Sequence, residues 1–431
     1  MTNPSWTKNL NKPIAIIGLG KSGLSAAHFL KTLGYYDEDI ITYDDKDASA
    51  QFNTPDELVK KHPKTLVVSP GVPLKTGWIQ KLIAEGSFLT SEISLATSVL
   101  TTEKLIGITG SVGKSTVTSI LGEGAKVMDE NCFVGGNLGT PFCDYANRIA
   151  NGEKKAYWVV LELSSYQLEN CDHLSLLGAA VTFLSANHLE RYESLEHYYQ
   201  TKMKITDMTK DFCVFNKKSE DAVQASRFSK CAAVLISCAD FINQDLLSKI
   251  VLIGEHNKDN FCVAAEVAHL CEWNDESLKA MAQFRGLKHR LEYVAQVAGV
   301  RYINDSKSTA MESVLVAVTG CLEALAVEKY IYLLLGGRDK NLPWEQLSFL
   351  KQKAGLRFVF FGECGNLAKK KSGLVGEYFE KLGSAVEYCQ KSAVEGDLIL
   401  LSPGGTSLDE FKSFEERGDF FKRLVMAGVE A

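Results

Sequence analysis

Short apolar runs rich in Ile, Val, Leu and Phe recur along the chain, each ending in Gly, Ser or Asp and each followed by a segment with helical spacing. Alternation of this kind predicts α/β architecture with parallel sheets. The clearest strands fall at residues 14–17, 40–43, 65–68, 105–109, 157–161, 179–183, 213–215, 330–335, 358–361 and 397–401, with two more at 291–297 and 300–303. They form three groups. The first closes near Leu100, where Thr101-Thr102-Glu103-Lys104 leads into a fresh strand and a new glycine loop. The last opens after Phe284-Arg285-Gly286-Leu287, a hinge that follows a helical stretch over 261–283. The predicted domains are therefore 1–100, 101–286 and 287–431, and with no long linker or internal repeat between them they are expected to pack together.

The second domain begins with Leu105-Ile106-Gly107-Ile108-Thr109-Gly110-Ser111-Val112-Gly113-Lys114-Ser115-Thr116, a buried strand running through a glycine turn into a helix at 117–121. In such a loop, backbone N–H groups converge on phosphate oxygens at a helix N-terminus, while the lysine and the following hydroxyl serve phosphate and Mg²⁺. The strict pattern G-x-x-x-x-G-K-[ST] is not met, because Ile108 stands where its first glycine belongs; the shorter G-x-x-G-K-S core survives. An ATP site is predicted at Gly110, Ser111, Val112, Gly113, Lys114, Ser115 and Thr116.

A second glycine loop, Gly18-Leu19-Gly20-Lys21-Ser22-Gly23, follows the first strand, and Asp44 ends the next. That arrangement suits a dinucleotide with Asp44 on a ribose hydroxyl, and it suits any other diphosphate equally well. Glu162 leaves the end of a buried strand, where an acid near a phosphate loop holds Mg²⁺ directly or through water. His188 follows the strand at 179–183 and Lys202 lies on a helical segment at 195–208; taken singly, both read as surface residues. Three polar loops follow strands of the last domain: Asn304-Asp305-Ser306-Lys307-Ser308-Thr309, Gly336-Gly337-Arg338-Asp339-Lys340 and Ser402-Pro403-Gly404-Gly405-Thr406-Ser407. Open α/β sheets bind ligands at the carboxyl ends of their strands, so the three together point to one composite site.

Composition narrows the function classes. A length of 431 residues is that of about three domains, and 45% hydrophobic with 23% charged residues is the balance of a globular protein. The formal charge of −6 draws the chain as a whole to neither nucleic acid nor an anionic membrane. No stretch approaches the ~18 apolar residues of a spanning helix, and the run at 14–17 stops at Gly18 before any export signal develops. A cytoplasmic protein with no membrane partner is expected. The 11 cysteines are scattered without a C-x-x-C pair, which predicts reduced thiols rather than a disulfide framework or a zinc site.

To the glycine loop at 109–116 can be added Gly135-Gly136-Asn137-Leu138-Gly139, Glu162-Leu163-Ser164-Ser165-Tyr166-Gln167-Leu168-Glu169, His256-Asn257-Lys258-Asp259-Asn260, Leu287-Lys288-His289-Arg290, the loop at 304–309, and Ser407-Leu408-Asp409-Glu410-Phe411-Lys412-Ser413-Phe414-Glu415-Glu416-Arg417-Gly418. With these motifs in this order, the chain resembles the Mur ligase family over nearly its whole length. The resemblance implies a Rossmann-like N-terminal domain, a central P-loop ATPase-type domain with a parallel sheet, and a C-terminal Rossmann-like α/β domain. It implies ATP-dependent amide-bond formation through an acyl phosphate, in peptidoglycan precursor synthesis. The last motif, with Leu335-Gly336-Gly337-Arg338-Asp339-Lys340, favours the family member that adds D-glutamate. The implied partners are UDP-N-acetylmuramoyl-L-alanine, D-glutamate and ATP, acting on a monomer.

The resemblance also assigns residues. The UDP group falls to Gly18, Leu19, Gly20, Lys21, Ser22, Gly23, Asp44, Asp45, Lys46, Ser69, Pro70 and Gly71, and the muramoyl part to Asn137 and His188. Lys114, Glu162, His188 and Lys202 are the catalytic set. One Mg²⁺ goes to Ser115 or Thr116 with Glu162, and a second to His188 with Lys202, whose amine the family carboxylates with CO₂; Lys204 is the alternative position. Asn257, Asn260, Arg290 and Asp305 surround the nucleotide, and Thr309, Lys340, Ser407 and Phe414 hold the amino acid. Two positions depart from the family: Val112 replaces a polar residue in the phosphate loop, and Asn187 replaces the acid that often precedes the histidine. A folylpolyglutamate-type ligase, a nicotinamide dehydrogenase and a non-catalytic nucleotide switch are the competing readings.

Overall fold

The structure, a computed structural model, describes residues 10–186 and 191–427. Three sheets carry it, each flanked by helices. The first has strands β1 (Ile14–Ile17), β2 (Ile40–Tyr43), β3 (Thr65–Val68) and β4 (Phe88–Thr90) in the order β2-β1-β3-β4, all parallel. The second has β5 (Lys104–Thr109), β6 (Phe133–Gly136), β7 (Trp158–Glu162), β8 (Leu176–Val181), β9 (Thr209–Asn216) and β10 (Ala232–Ile236) in the order β10-β9-β8-β5-β7-β6, again all parallel. The third has β11 (Glu292–Val297), β12 (Val300–Asn304), β13 (Ile331–Gly336), β14 (Leu356–Phe361), β15 (Gly376–Phe379) and β16 (Leu398–Gly404) in the order β11-β12-β16-β13-β14-β15. Only the β11–β12 hairpin is antiparallel.

The central strands are buried along their length, as the continuous apolar runs require when helices cover both faces. Residues up to 244 together with 259–282 form one compact unit, and residues 245–258 together with those from 283 onward form another. Within the first unit a single core joins the first two sheets, running from Ile14, Ile16 and Phe29 to Phe142, Tyr145, Val159 and Leu161. Each such side chain contributes about 1.5–3 kcal/mol on full burial. Polar contacts cross the same seam: Ser25 Oγ donates to Asp144, Thr32 to Asn147, and the Cys143 N–H to the buried Glu92 carboxylate. In the second unit the third sheet is covered on one face by a cluster around Met311, Trp344 and Phe360, and on the other by one around Phe361, Val386 and Phe421.

Two readings of the sequence change. The helical stretch at 261–283 is two helices, Glu255–Leu270 and Asp275–Ala282. The break lies where Glu272 takes φ +57°, and there the buried Trp273 packs edge-on against Trp158 with ring centroids 5.2 Å apart. The strand read at 179–183 is Leu176–Val181. Past it, Thr182 and Phe183 leave the sheet to support the glycine loop.

Candidate active site

β5 is the switch point of the second sheet, since the chain continues to β6 and β7 on one side and to β8–β10 on the other. A crevice at the carboxyl end of such a strand is where open α/β sheets bind ligands, and the loop 110–113 occupies it. The helix Lys114–Met128 starts directly from this loop, with Gly113 as its N-cap at φ +91°. A side chain at Gly113 would be strained by that backbone conformation, and its Cβ would lie 2.5 Å from Asn260 Oδ1. The loop is held from beneath. Thr182 Oγ1 donates to the Val112 carbonyl at 2.6 Å, and the N–H groups of Ser111 and Val112 both donate to the Phe183 carbonyl. The Ser111 hydroxyl donates to the Ser185 carbonyl and accepts from the Ser185 N–H and the Tyr198 hydroxyl. The N–H groups of Ser111 and Val112 are therefore committed to fixing the loop, so an anion at this helix N-terminus would meet the N–H groups from Gly113 onward. The Val112 side chain is exposed.

Two lysines converge on this loop. Lys114 Nζ donates to the carbonyls of Gly110 (2.9 Å) and Ser111 (3.0 Å). Lys202, on the helix Leu195–Asp207, donates from Nζ to the same Gly110 carbonyl at 2.7 Å and lies 4.7 Å from the centre of the Tyr198 ring. Lys202 is buried, contrary to its reading as a surface residue, and its amine is pushed down to about 7 by burial and by the charge of Lys114, against the pull of Glu162. The neighbouring Lys204 instead donates to the Glu169 carbonyl. Glu162 ends β7 and is buried; its Oε1 accepts from Asn137 Nδ2 at 2.6 Å, while Oε2 has no hydrogen-bond partner among the described residues. A buried carboxylate oxygen without a partner is costly unless a cation completes it, so this donor set fits a magnesium ion near Ser115 and Thr116. Among the described residues no cluster of three His, Cys, Asp or Glu side chains forms a metal cage. His188 and Asn187 lie outside the described residues.

In the first sheet the loop 18–23 turns tightly into the helix Lys21–Thr32. A Cβ at Gly23 would meet the Gly18 carbonyl oxygen at 1.9 Å, and Ser69 Oγ donates to that same oxygen at 2.7 Å. Gly23→Ala must move backbone rather than a flexible side chain, so it is expected to lower stability by about 1–3 kcal/mol, read as a drop in Tm. Asp44 has backbone partners in its own loop and in the glycine loop. Its carboxylate accepts the N–H groups of Leu19 (2.7 Å), Lys46 (2.9 Å) and Asp47 (3.0 Å), which hold its pKa below the usual range and fix the glycine loop. Lys21, Asp45, Lys46 and Gly71 are exposed beside it, with Ser22, Ser69 and Pro70 half-buried.

In the third sheet β12, β16 and β13 are adjacent, so the loops that follow them lie side by side. The Arg338 N–H donates to the Thr406 carbonyl at 2.8 Å, and the Thr406 N–H returns a bond to Arg338 at 2.9 Å. Asp305 is buried; its carboxyl accepts from Ser308 Oγ, from Ser402 Oγ at 2.8 Å and from the Leu291 N–H at 3.1 Å, and burial pushes its pKa up to about 6. Arg290 and Lys340 are exposed, Thr309 and Phe414 half-buried, and Ser407 buried. Asn257, on the helix Glu255–Leu270, donates from Nδ2 to the Ile253 carbonyl at 2.7 Å.

Arg191 and Arg417 escaped the reading of the sequence. Arg191 pairs with Glu169 (2.8 and 3.1 Å), stacks 4.1 Å from the Tyr166 ring centre, and donates to the Val72 carbonyl at 3.3 Å, joining the segment after β3 to the second sheet's helices. No local pattern marks it. Arg417 sat within the last motif with no role of its own.

The family model for the Mur ligase middle domain matches residues 108–268. A UDP-N-acetylmuramoylalanine–D-glutamate ligase from Koribacter versatilis is 31% identical, covering 97% of this chain and 98% of the relative. One from Haemophilus influenzae strain PittGG is 34% identical, covering 97% and 99%. Among solved structures, UDP-N-acetylmuramate-alanine ligase MurC from Thermotoga maritima superposes with a TM-score of 0.53 at 16% identity, covering 97% of this chain and all of that one. MurF from Acinetobacter baumannii does so with 0.57 at 14%, covering 94% and 98%. The structural likenesses establish the fold, α/β with three mostly parallel sheets, and the sequence relatives establish the kinship. The chain belongs to the Mur ligase family and is a ligase of peptidoglycan precursor synthesis.

Proposed function

We propose that this ligase joins D-glutamate to UDP-N-acetylmuramoyl-L-alanine at the expense of ATP. The observation that carries the chemistry is the meeting of Lys114, Lys202 and the partnerless Glu162 oxygen at the carboxyl end of β5. A substrate carboxylate and a triphosphate repel each other, and here the Lys114 ammonium and a cation-seeking oxygen adjoin a phosphate loop. The carboxylate attacks the γ-phosphate to give an acyl phosphate and ADP; the D-glutamate amine then attacks the acyl carbon, and phosphate leaves from the tetrahedral intermediate. Lys114 balances charge on the transferring phosphoryl group, and much of the rate comes from in-line positioning. Magnesium, held by Ser115 or Thr116 with Glu162 and by His188 with Lys202, would supply further charge neutralisation.

The Lys202 role depends on its carboxylation. An amine near pKa 7 is about half neutral at pH 7 and so nucleophilic enough to take CO₂, whereas an ordinary lysine is almost wholly charged. In this reading residues 1–100 hold the UDP group through the loop 18–23 with Asp45, Lys46, Ser69, Pro70 and Gly71, and Asp44 orders that loop. Asn137 and His188 meet the muramoyl part. Asn257, Asn260, Arg290 and Asp305 serve the nucleotide, and Thr309, Lys340, Ser407 and Phe414 the amino acid. Phosphate release from ATP with UDP-N-acetylmuramoyl-L-alanine, scanned across D- and L-amino acids, tests the assignment. D-glutamate is expected to be preferred over L-glutamate, with Lys340→Ala raising the KM for D-glutamate about tenfold or more and that for ATP little. Equal turnover of the two enantiomers would show the pocket to be elsewhere.

A further inference from the structure

Arg417, in the first turn of the helix Phe414–Ala427, is fully buried. Its Nε donates to Ser306 Oγ at 3.0 Å, Nη2 to the Ser306 carbonyl at 2.9 Å and Nη1 to the Gly405 carbonyl at 3.1 Å. Ser306 Oγ in turn donates to the Phe414 carbonyl at 2.8 Å. Gly337 approaches so closely that a Cβ there would lie 2.9 Å from Nη1. One planar group thus touches the loops after β12, β13 and β16 and is tied to the start of the last helix. Those are the segments that carry Thr309, Lys340, Ser407 and Phe414.

All of its hydrogen-bond acceptors are neutral. Among the described residues no carboxylate hydrogen-bonds or ion-pairs with it; the nearby Asp409 attracts it from a distance and accepts from the Glu363 N–H at 3.2 Å. Burial lowers the guanidinium to about 10, so it stays charged at neutral pH. A buried charge with no contact partner is a large cost, and an apolar residue of the same volume would tie up the space without it. The fork geometry accounts for the loop contacts. Asp409 offsets the charge from a distance and without a hydrogen bond, which leaves that charge available to an anionic ligand of the loops it holds.

We propose that Arg417 is a positioning residue for the amino-acid substrate, holding the three loops in one register and placing a buried positive charge beneath a ligand with two carboxylates. This rests on the reading that an acidic amino acid binds there. The unaltered enzyme's turnover across amino acids scores that reading first, and the variants are then compared on the preferred amino acid. Arg417→Met, Arg417→Lys and Ser306→Ala are measured for Tm, kcat and the KM of each substrate. Arg417→Met is expected to raise the amino-acid KM by about tenfold or more while the KM for ATP stays within about twofold. Arg417→Lys, which keeps the charge and loses the fork, should recover part of that rise, and Ser306→Ala should raise the same KM about threefold. The proposal is overturned if Tm falls while the amino-acid KM stays within about twofold, if the KM values of all substrates rise together, or if the unaltered enzyme accepts no amino acid. Should Arg417→Met fail to fold, an unchanged amino-acid KM in both of the milder variants overturns it equally.

Discussion

Lys114→Ala is expected to keep the fold and to lose ligase activity by about a hundredfold or more. Lys114 Nζ donates to the loop carbonyls of Gly110 and Ser111, at the carboxyl end of β5. The loop itself is supported independently by Thr182, Phe183, Ser185 and Tyr198, so removing the ammonium leaves the cradle standing. What would be lost, on the proposed mechanism, is the charge facing the transferring phosphoryl group. Steady-state kinetics with a melting curve on the same sample checks both halves, and activity within about threefold of the parent would remove the phosphate loop from the mechanism.

Lys202→Met is the second large effect, again about a hundredfold or more in activity, since it removes the amine that carboxylation would convert into an anionic ligand. The shorter Lys202→Ala leaves room for a small added carboxylic acid, which is expected to restore part of the activity. In the parent enzyme, ¹³C-bicarbonate should give a carbamate carbonyl resonance that is absent from both variants. Stability carries a second signature. The Lys202 amine is held near 7 in the fold and returns to about 10.5 when unfolded, so between these values the unfolded chain binds more protons. Without CO₂ the parent should therefore gain stability as pH rises from about 7 towards 10.5, and Lys202→Met should flatten that rise. A Lys202 that titrates like a surface lysine and gives no carbamate signal would count against the assignment.

The parts of the fold legible in the sequence are those buried on both faces. Each strand read as an apolar run exists, with shifts of a few residues at its ends. The four that went unread, β4, β6, β10 and β15, all lie at sheet edges, where one side is open and the apolar run is interrupted. Ala232–Ile236, for example, is exposed over most of its length. The phosphate loop was legible because its chemistry is local, a glycine turn between a strand and a helix. Lys202 was legible only through the family resemblance, because its local setting says nothing of its reach to the Gly110 carbonyl, a contact between residues 92 positions apart. Arg417 was hidden for the same reason, being bonded to a serine 111 positions earlier. Asp44 shows the converse, a motif residue whose carboxylate folding directs to the loop itself.

The central claim is that the chain activates a carboxylate by phosphoryl transfer before an amine is added. Turnover of UDP-N-acetylmuramoyl-L-alanine labelled with oxygen-18 in its alanyl carboxylate, with D-glutamate and unlabelled ATP, tests it directly. Attack of the carboxylate on the γ-phosphate leaves one carboxylate oxygen bridging carbon and phosphorus, and departure of phosphate carries that oxygen away. Inorganic phosphate bearing one labelled oxygen per amide bond formed is the expected result, and amide formation with unlabelled phosphate would contradict the account.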